Sequence, residues 1–218
     1  LRLAVSGSAP LPAELHAALS AGSGQRVLER YGMTETGMLV SNPYDGQRKP
    51  GTVGFPFPGV RVRLADTGEI EVTGPNVIAG YYERPEATAE AFTADGWFRT
   101  GDLGELDEDG YLRISGRAKE LIISGGYNVY PREVEEVLRD HPAVADAAVV
   151  GAPSAEWGET VVAFVVPGDA AGTAALEGAL AEWCAERLAS YKRPRGWRWV
   201  DAIPRNALGK VLRHELKP

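Results

Sequence analysis

Hydrophobic and polar positions along the chain change their pattern twice. Residues 1–37 alternate strand-like and helix-like runs: "LRLAVS" reads as a strand, "PAELHAALSAG" as an amphipathic helix, and "RVLERYGMTETG" as a strand running into a loop. From about residue 50 to 118 the helical period nearly vanishes. Short β-like runs ("VRVRL", "GEIEVTG", "YLRIS") are separated by Asp-Thr-Gly and Asp-Gly turns, which predicts a small antiparallel barrel or sheet. One helix, "PEATAEAF", interrupts it and opens at Pro85, where a missing N–H costs nothing. After Gly116, "ELIIS", "VADAAVVGAP" and "TVVAFVVP" read as strands, with helices at 131–140 and about 173–189. That region is an α+β unit of about a hundred residues, an ordinary domain size. No flexible linker precedes it, so any movement near Lys119 must be a hinge at very few residues.

Composition narrows the classes. The 218 residues are 44% hydrophobic and 24% charged, a globular balance with room for one or two cores. A net charge of -7 argues against non-specific nucleic-acid binding. One cysteine, Cys184, excludes an internal disulfide framework or a cysteine-rich zinc site, and it reads as a small core residue of a helix. His16, His141 and His214 form no metal-binding pattern. No apolar run is long enough to span a bilayer and no signal-peptide pattern is present, so no membrane role and a cytoplasmic protein are expected. The chain opens at Leu1 in what reads as the middle of a strand, as the end of a longer protein would.

The candidate chemistry begins at "YGMTETG", residues 31–37. Hydroxyls, glycine amides and one acid in a short turn suit a phosphate and its magnesium. The same residues also suit a Gly-rich loop that only turns the chain. Three further stretches decide between these: "SGSAP" at 6–10, "WFRTGDLGELDEDGYLRISGRAKELIISGGYNVYPREVEEVL" at 97–138, and "PRNALGKVLRHEL" at 204–216. In this order and spacing, across essentially the whole chain, they resemble the acyl-adenylate-forming superfamily of acyl-CoA synthetases, luciferases and adenylation domains. The resemblance implies the end of a large α/β domain with a β-barrel-like subdomain (1–118), then a small mobile α+β domain (119–218). It also implies ATP, magnesium and CoA, with an acyl-adenylate made first and a thioester second.

The resemblance carries roles residue by residue. Thr34 is expected on the α-phosphate, Glu35 on magnesium, and Tyr31 on the adenine with Gly32 and Met33 beside it. Gly7, Ser8, Ala9 and Pro10 edge the adenine and acyl pocket, although alone they are ordinary turn residues. Asp102 accepts the ribose hydroxyls; in isolation it also reads as a turn-capping aspartate. Arg117 reaches the ribose or phosphates, or is a surface hairpin charge. Lys210 is the cation of adenylation, where an isolated sequence would show a solvated lysine. Lys119 is the hinge. Ser124, Gly125, Gly126 and Tyr127 line the path of the CoA pantetheine, where a Cβ would obstruct, and the glycine pair also fits a bulge or turn. The family's upstream phosphate loop has no counterpart here, so this stretch is expected to be inactive in adenylation by itself.

The run "SNPYDGQRKPGTVG" is most similar to malonyl-CoA synthetases, which points to malonate or methylmalonate. A second carboxylate needs a cationic or hydroxyl partner, expected upstream of this stretch; Arg30 is one candidate here, or a structural residue beside its strand. Lys192, Arg193, Arg195 and Arg198 read as a landing patch for CoA phosphates or an acidic carrier, or as a solvated basic turn. Two other functions stay open: an adenylation domain loading a carrier protein, and a substrate of a lysine acyltransferase or deacylase acting on Lys210, whose acylation removes its charge.

Overall fold

A computed structural model describes residues 1–11, 13–168, 173–207 and 209–218. Pro12, the expected start of the first helix, and Leu208, inside "NALGK", lie outside the described residues. The fold is mixed, with β-sheets, few helices and two compact units, Leu1–Ala118 and Lys119–Pro218.

The first unit opens as a β-α-β element. Strand β1 (Val5–Ser6) lies parallel to β2 (Leu28–Met33), and helix α1 (Ala13–Ser23) crosses between them. The first strand is shorter than its apolar pattern predicts. Leu1 is 82% exposed, and only residues 5–6 pair with β2. Strand β2 reverses into β3 (Gly37–Ser41), which pairs with β4 (Phe55–Pro56). A second sheet is antiparallel throughout, in the order β5 (Arg61–Leu64), β6 (Glu69–Thr73), β7 (Phe98–Leu106), β8 (Leu112–Arg117). Helix α2 (Pro85–Ala91) is the expected interruption, with proline in its first turn.

Alternation along β6 shows why this sheet forms. Ile70 and Val72 are fully buried, against Leu39, Val40, Phe98 and Leu112. Glu71 is also buried, on the other face, because Arg63 pairs with it at 2.7 Å.

In the second unit, β9 (Ile122–Ser124) and β10 (Tyr127–Val129) form a tight hairpin, followed by α3 (Pro131–Arg139). Then β11 (Val144–Ser154) and β12 (Gly158–Pro167) make a long hairpin, α4 (Thr173–Arg187) follows, and β13 (Gly196–Trp199) joins β12 in parallel. Helix α3 buries Val134 and Leu138 and α4 buries Leu176, Leu180 and Cys184, the spacing of one helical stripe. Strand β12 does not alternate, since Val161 to Val165 are all buried. Val161, Ala163 and Val165 pack with residues of α3 and α4, while Val162 and Phe164 pack with Ile203 and Leu216. The C-terminal segment therefore covers the sheet face opposite the helices, which is why the "VVAFVV" run is apolar without a break.

Candidate active site

Two of the expected loops leave the carboxyl ends of β1 and β2. Adjacent parallel strands in an open α/β sheet place ligands at that end. Gly7 sits where a Cβ would lie 3.3 Å from the Arg30 backbone oxygen, so the "SGSAP" loop lies close against β2. Ser8 takes a left-handed φ of 71°, rare for a residue with a side chain, and Ala9 and Pro10 complete the loop.

"YGMTETG" turns the chain as a β-hairpin, with β2 reversing into β3. Met33 pairs with Gly37, which leaves Thr34, Glu35 and Thr36 at the tip, and Gly37 closes the turn at φ 58°. Gly32 is required sterically, because a Cβ there would stand 2.1 Å from the Gly37 carbonyl oxygen. Thr34 is exposed, Glu35 half-buried and Thr36 fully buried. Residues that sequence reading missed hold the tip from behind. Asn76 Nδ2 donates to the Thr36 carbonyl at 2.6 Å, and Ile78 N–H to the Glu35 carbonyl at 2.9 Å. The Tyr81 hydroxyl donates to Glu35 Oε1 at 3.2 Å, which turns one carboxylate oxygen toward the protein.

Asp102 of "RTGD", which in isolation also reads as a turn cap, lies with Gly101 inside β7. Three residues of β7, Thr100 to Asp102, stand opposite the single Ile70 of β6, with Gly101 at φ 69°. Such a bulge re-aims a side chain. Thr100 Oγ1 donates to the Ile70 carbonyl at 2.7 Å and accepts from Asp102 N–H at 3.1 Å. Gly101 N–H donates to Glu69 Oε1 at 3.0 Å.

The bulge brings three expected residues together. The Tyr31 hydroxyl donates to Asp102 Oδ2 at 2.5 Å, and Arg117 Nε lies 3.2 Å from Oδ1. Asp102 and Arg117 are directly opposite across β7 and β8. Asp102 is 6% exposed, while half of the Arg117 side chain faces solvent. Burial and then the Asp102 charge hold the Tyr31 phenol well above its usual range. Arg30, the candidate partner for a second carboxylate, points its guanidinium at the Met38 sulfur.

The second unit holds the other expected residues. Ser124 and Tyr127 pair across a two-residue turn with Gly125 at φ 59° and Gly126 at φ 82°, the geometry glycine tolerates best. The two glycines differ in what they face. A Cβ on Gly125 would meet the Trp157 ring at 2.8 Å, whereas one on Gly126 would meet nothing within 4 Å. Gly126 is thus the member of the pair with open backbone, and Tyr127 stacks on Tyr191 at 4.6 Å. Ser124 is completely buried and its hydroxyl has no partner.

Lys119 and Lys210 line one cleft of about 660 Å³, together with Glu120, Ile122, Glu159 and Arg213. Lys210 closes a turn in which its N–H donates to Asn206 Oδ1 and its carbonyl accepts from Asn206 N–H, both at 2.9 Å. The basic cluster divides its work. Lys192 pairs with Glu133 at 2.6 Å, Arg193 caps the end of α4 through the Ala185 and Leu188 carbonyls, and Arg195 stacks on Trp157 at 3.7 Å. Arg198 is exposed and donates to the Trp197 carbonyl.

Residues 1–82 match the AMP-binding enzyme family, and residues 133–210 match the AMP-binding enzyme C-terminal domain. The chain belongs to the AMP-binding enzymes. Similar members are named CoA ligases. A sulfoacetate–CoA ligase of Cupriavidus necator is 47% identical over 99% of this chain and 44% of its own length. A malonate–CoA ligase of Arabidopsis thaliana is 40% identical over 100% of this chain and 38% of its own. Among solved structures, ATP-bound MatB from Rhodopseudomonas palustris superposes with a TM-score of 0.90 at 47% identity, covering 98% of this chain and 44% of that one. The chain thus spans less than half the length of these AMP-binding relatives.

Whether the residues suit magnesium can be judged from the donors. Among the described residues no three His, Cys, Asp or Glu side chains cluster as a metal cage. Glu35, half-buried beside the exposed Thr34, offers a single carboxylate. That fits magnesium carried in on phosphate oxygens, which needs only one or two protein carboxylates. No helix among the described residues is long and apolar enough to cross a membrane.

Proposed function

We propose that this chain is the nucleotide-ribose, hinge and mobile-domain portion of an ATP-dependent, AMP-forming acyl-CoA synthetase, acting on malonate or methylmalonate. The observation that carries the reading is the meeting of Tyr31, Asp102 and Arg117, drawn from two sheets by a bulge at Gly101. A buried carboxylate with its orientation fixed by a phenol and a guanidinium is a rigid double acceptor, suited to the two hydroxyls of a ribose. The run "SNPYDGQRKPGTVG" supports malonate; a malonate–CoA ligase and a sulfoacetate–CoA ligase are both similar to this chain, so both acids enter the test.

In the first step a carboxylate oxygen of the acid attacks the α-phosphorus of ATP, the α–β bond breaks, and pyrophosphate leaves. In the second, the CoA thiol attacks the adenylate carbonyl, AMP leaves, and the thiol proton passes to solvent. Adenylation is chiefly positioning and charge neutralisation. Thr34 donates to phosphoryl oxygens from the hairpin tip and Tyr31 offers its ring face to the adenine. Glu35 would hold magnesium, which would neutralise phosphate charge when bound. Gly7, Ser8, Ala9 and Pro10 edge the adenine side. Lys210 supplies the cation that bridges acid and phosphate. Lys119 is the hinge after which the Ser124–Tyr127 turn serves the thioester step, with the open backbone of Gly126 toward pantetheine.

The test is acid-dependent ATP–pyrophosphate exchange by the whole enzyme with malonate, methylmalonate, sulfoacetate and a long-chain fatty acid. Exchange fastest with malonate or methylmalonate supports the substrate. Exchange only with another acid overturns the substrate, and no exchange with any acid overturns the reaction. Asp102→Ala is expected to raise the KM for ATP at least about tenfold, the loss of one charged hydrogen-bonding group.

A further inference from the structure

Strand β11 ends the sheet of the second unit, and side chains close its outer edge. Val149 N–H donates to Glu135 Oε1 at 2.9 Å, and its carbonyl accepts from Arg213 Nε at 3.3 Å. Two positions earlier the Ala147 carbonyl accepts from Arg139 and its N–H donates to Asp146 Oδ1. An open strand edge is normally blunted by charge. Here the charges come from both faces of the sheet. Glu135 belongs to α3 on one face, and Arg213 to the C-terminal segment on the other. They meet around the edge at 2.5 Å, and Glu135 is 4% exposed.

The pair is the centre of a longer chain of ions. Arg213 Nη1 also reaches Glu120 at 3.2 Å, next to Lys119. Arg139 reaches Glu135 at 3.5 Å and Asp146 at 3.1 Å. Asp146 pairs with Arg205 at 2.7 Å, and Arg205 donates to the Gly209 carbonyl at 2.8 Å. The segment carrying Lys210 is therefore tied to β11 before its turn, by Arg205 through Asp146, and after it, by Arg213 through Glu135 and the Val149 carbonyl. A buried ion pair is a poor stability device, since apolar residues of the same volume often do as well.

We propose that Glu135 and Arg213 are positioning residues for Lys210, holding its turn against the edge of β11 so that the ammonium is delivered to one place. This rests on the reading above that Lys210 acts in adenylation. Neither residue touches the reacting atoms. A misplacement near an ångström is enough to cost a large factor in rate.

The experiment uses the whole enzyme with Lys210→Ala, Glu135→Gln, Arg213→Lys and the double variant Lys210→Ala/Glu135→Gln. Each is assayed for pyrophosphate exchange and for thioester formation from pre-formed acyl-adenylate and CoA. Glu135→Gln is expected to lower the kcat of exchange roughly tenfold with unchanged KM for ATP, and to change thioester formation less than about twofold. In the Lys210→Ala background the same change is expected to add nothing, because its effect runs through that lysine. Should Glu135→Gln fail to fold by circular dichroism, Arg213→Lys, which keeps the charge but loses the fork, is read by the same criteria. Losses that multiply in the double variant, or that fall equally on both half-reactions, would overturn the proposal. Exchange lost in Lys210→Ala but kept in both Glu135→Gln and Arg213→Lys overturns it alone. Exchange kept in Lys210→Ala overturns the role of the lysine, and this proposal with it.

Discussion

Replacing Tyr31 with phenylalanine keeps the ring and removes one hydroxyl. That hydroxyl donates at 2.5 Å to Asp102, which is 6% exposed. Hydrogen bonds to charged groups contribute about 1.5–3 kcal/mol, and little water is available at Asp102 to replace this one. Arg117 is a weaker support by the same reasoning. It lies 3.2 Å away with half its side chain in solvent, so Arg117→Ala should cost only about 0.5–1 kcal/mol. Tyr31→Phe should therefore lower the melting temperature of the first unit by roughly 6–12 °C, at about 4 °C per kcal/mol for a unit of this size. The effect also has a pH signature. The folded phenol titrates above its usual range, so its contribution is fully present below about pH 10 and is lost as pH rises beyond that. The phenylalanine variant lacks that alkaline component. Four of the five tryptophans, all but Trp97, lie in the second unit, so fluorescence would report on the wrong part of the chain. Urea unfolding should instead be followed by hydrogen exchange of the β7 amides, Phe98–Leu106. A change below about 0.5 kcal/mol, or one equal to that of Arg117→Ala, would refute the argument that burial of Asp102 makes the phenol its principal partner.

Other consequences are equally direct. Gly32→Ala places a methyl 2.1 Å from the Gly37 carbonyl oxygen, so the hairpin must open and ATP-dependent stabilisation in a thermal shift assay should disappear. Both Gly125→Ala and Gly126→Ala put a side chain at positive φ, costing about 1–2 kcal/mol. Only the former meets the Trp157 ring, so it should be clearly the more destabilising in urea. Cys184 is fully buried and burial pushes its thiol up to about 11, so a thiol-reactive dye at pH 8 should label the native chain far more slowly than the urea-unfolded one. Burial raises the Asp146 carboxyl, but Arg205 and Arg139 outweigh it and hold it below the usual range. Its contribution is thus present above about pH 4 and lost as pH falls below that, and Asp146→Asn should flatten the acid limb of the melting curve.

What could be read from the sequence was local. The Asp-Gly turns, proline at the start of α2, the two-glycine turn at 125–126 and the helix from Pro131 each depend on neighbours within a few residues. The family resemblance also rested on contiguous motifs. The supports that aim those motifs were not legible, because they join residues without any period between them. Asn76 reaches Thr36 across 40 positions, Tyr31 reaches Asp102 across 71, and Arg213 reaches Glu135 across 78. The turn-cap reading of Asp102 failed for a related reason. In isolation an aspartate after glycine reads as a turn residue, yet β6 and β8 hold it within the sheet at a bulge. The apolar start of the chain predicted a longer strand, but among the described residues only Val5 and Ser6 pair, with β2.

The two-sided burial of β12 has a consequence for how the protein is made. One of its faces can be covered by α3, which precedes it, and α4, which follows directly. The other, with Val162 and Phe164, waits for Ile203 and Leu216. During synthesis the ribosome must extend the chain well past β13 before that face has anything to pack against. Until then a nascent chain carries an exposed apolar strand surface, the kind of surface that recruits chaperones and drives aggregation. The segment that bears Lys210 thus also covers the last core to close, so an early stop codon there would leave that strand surface open.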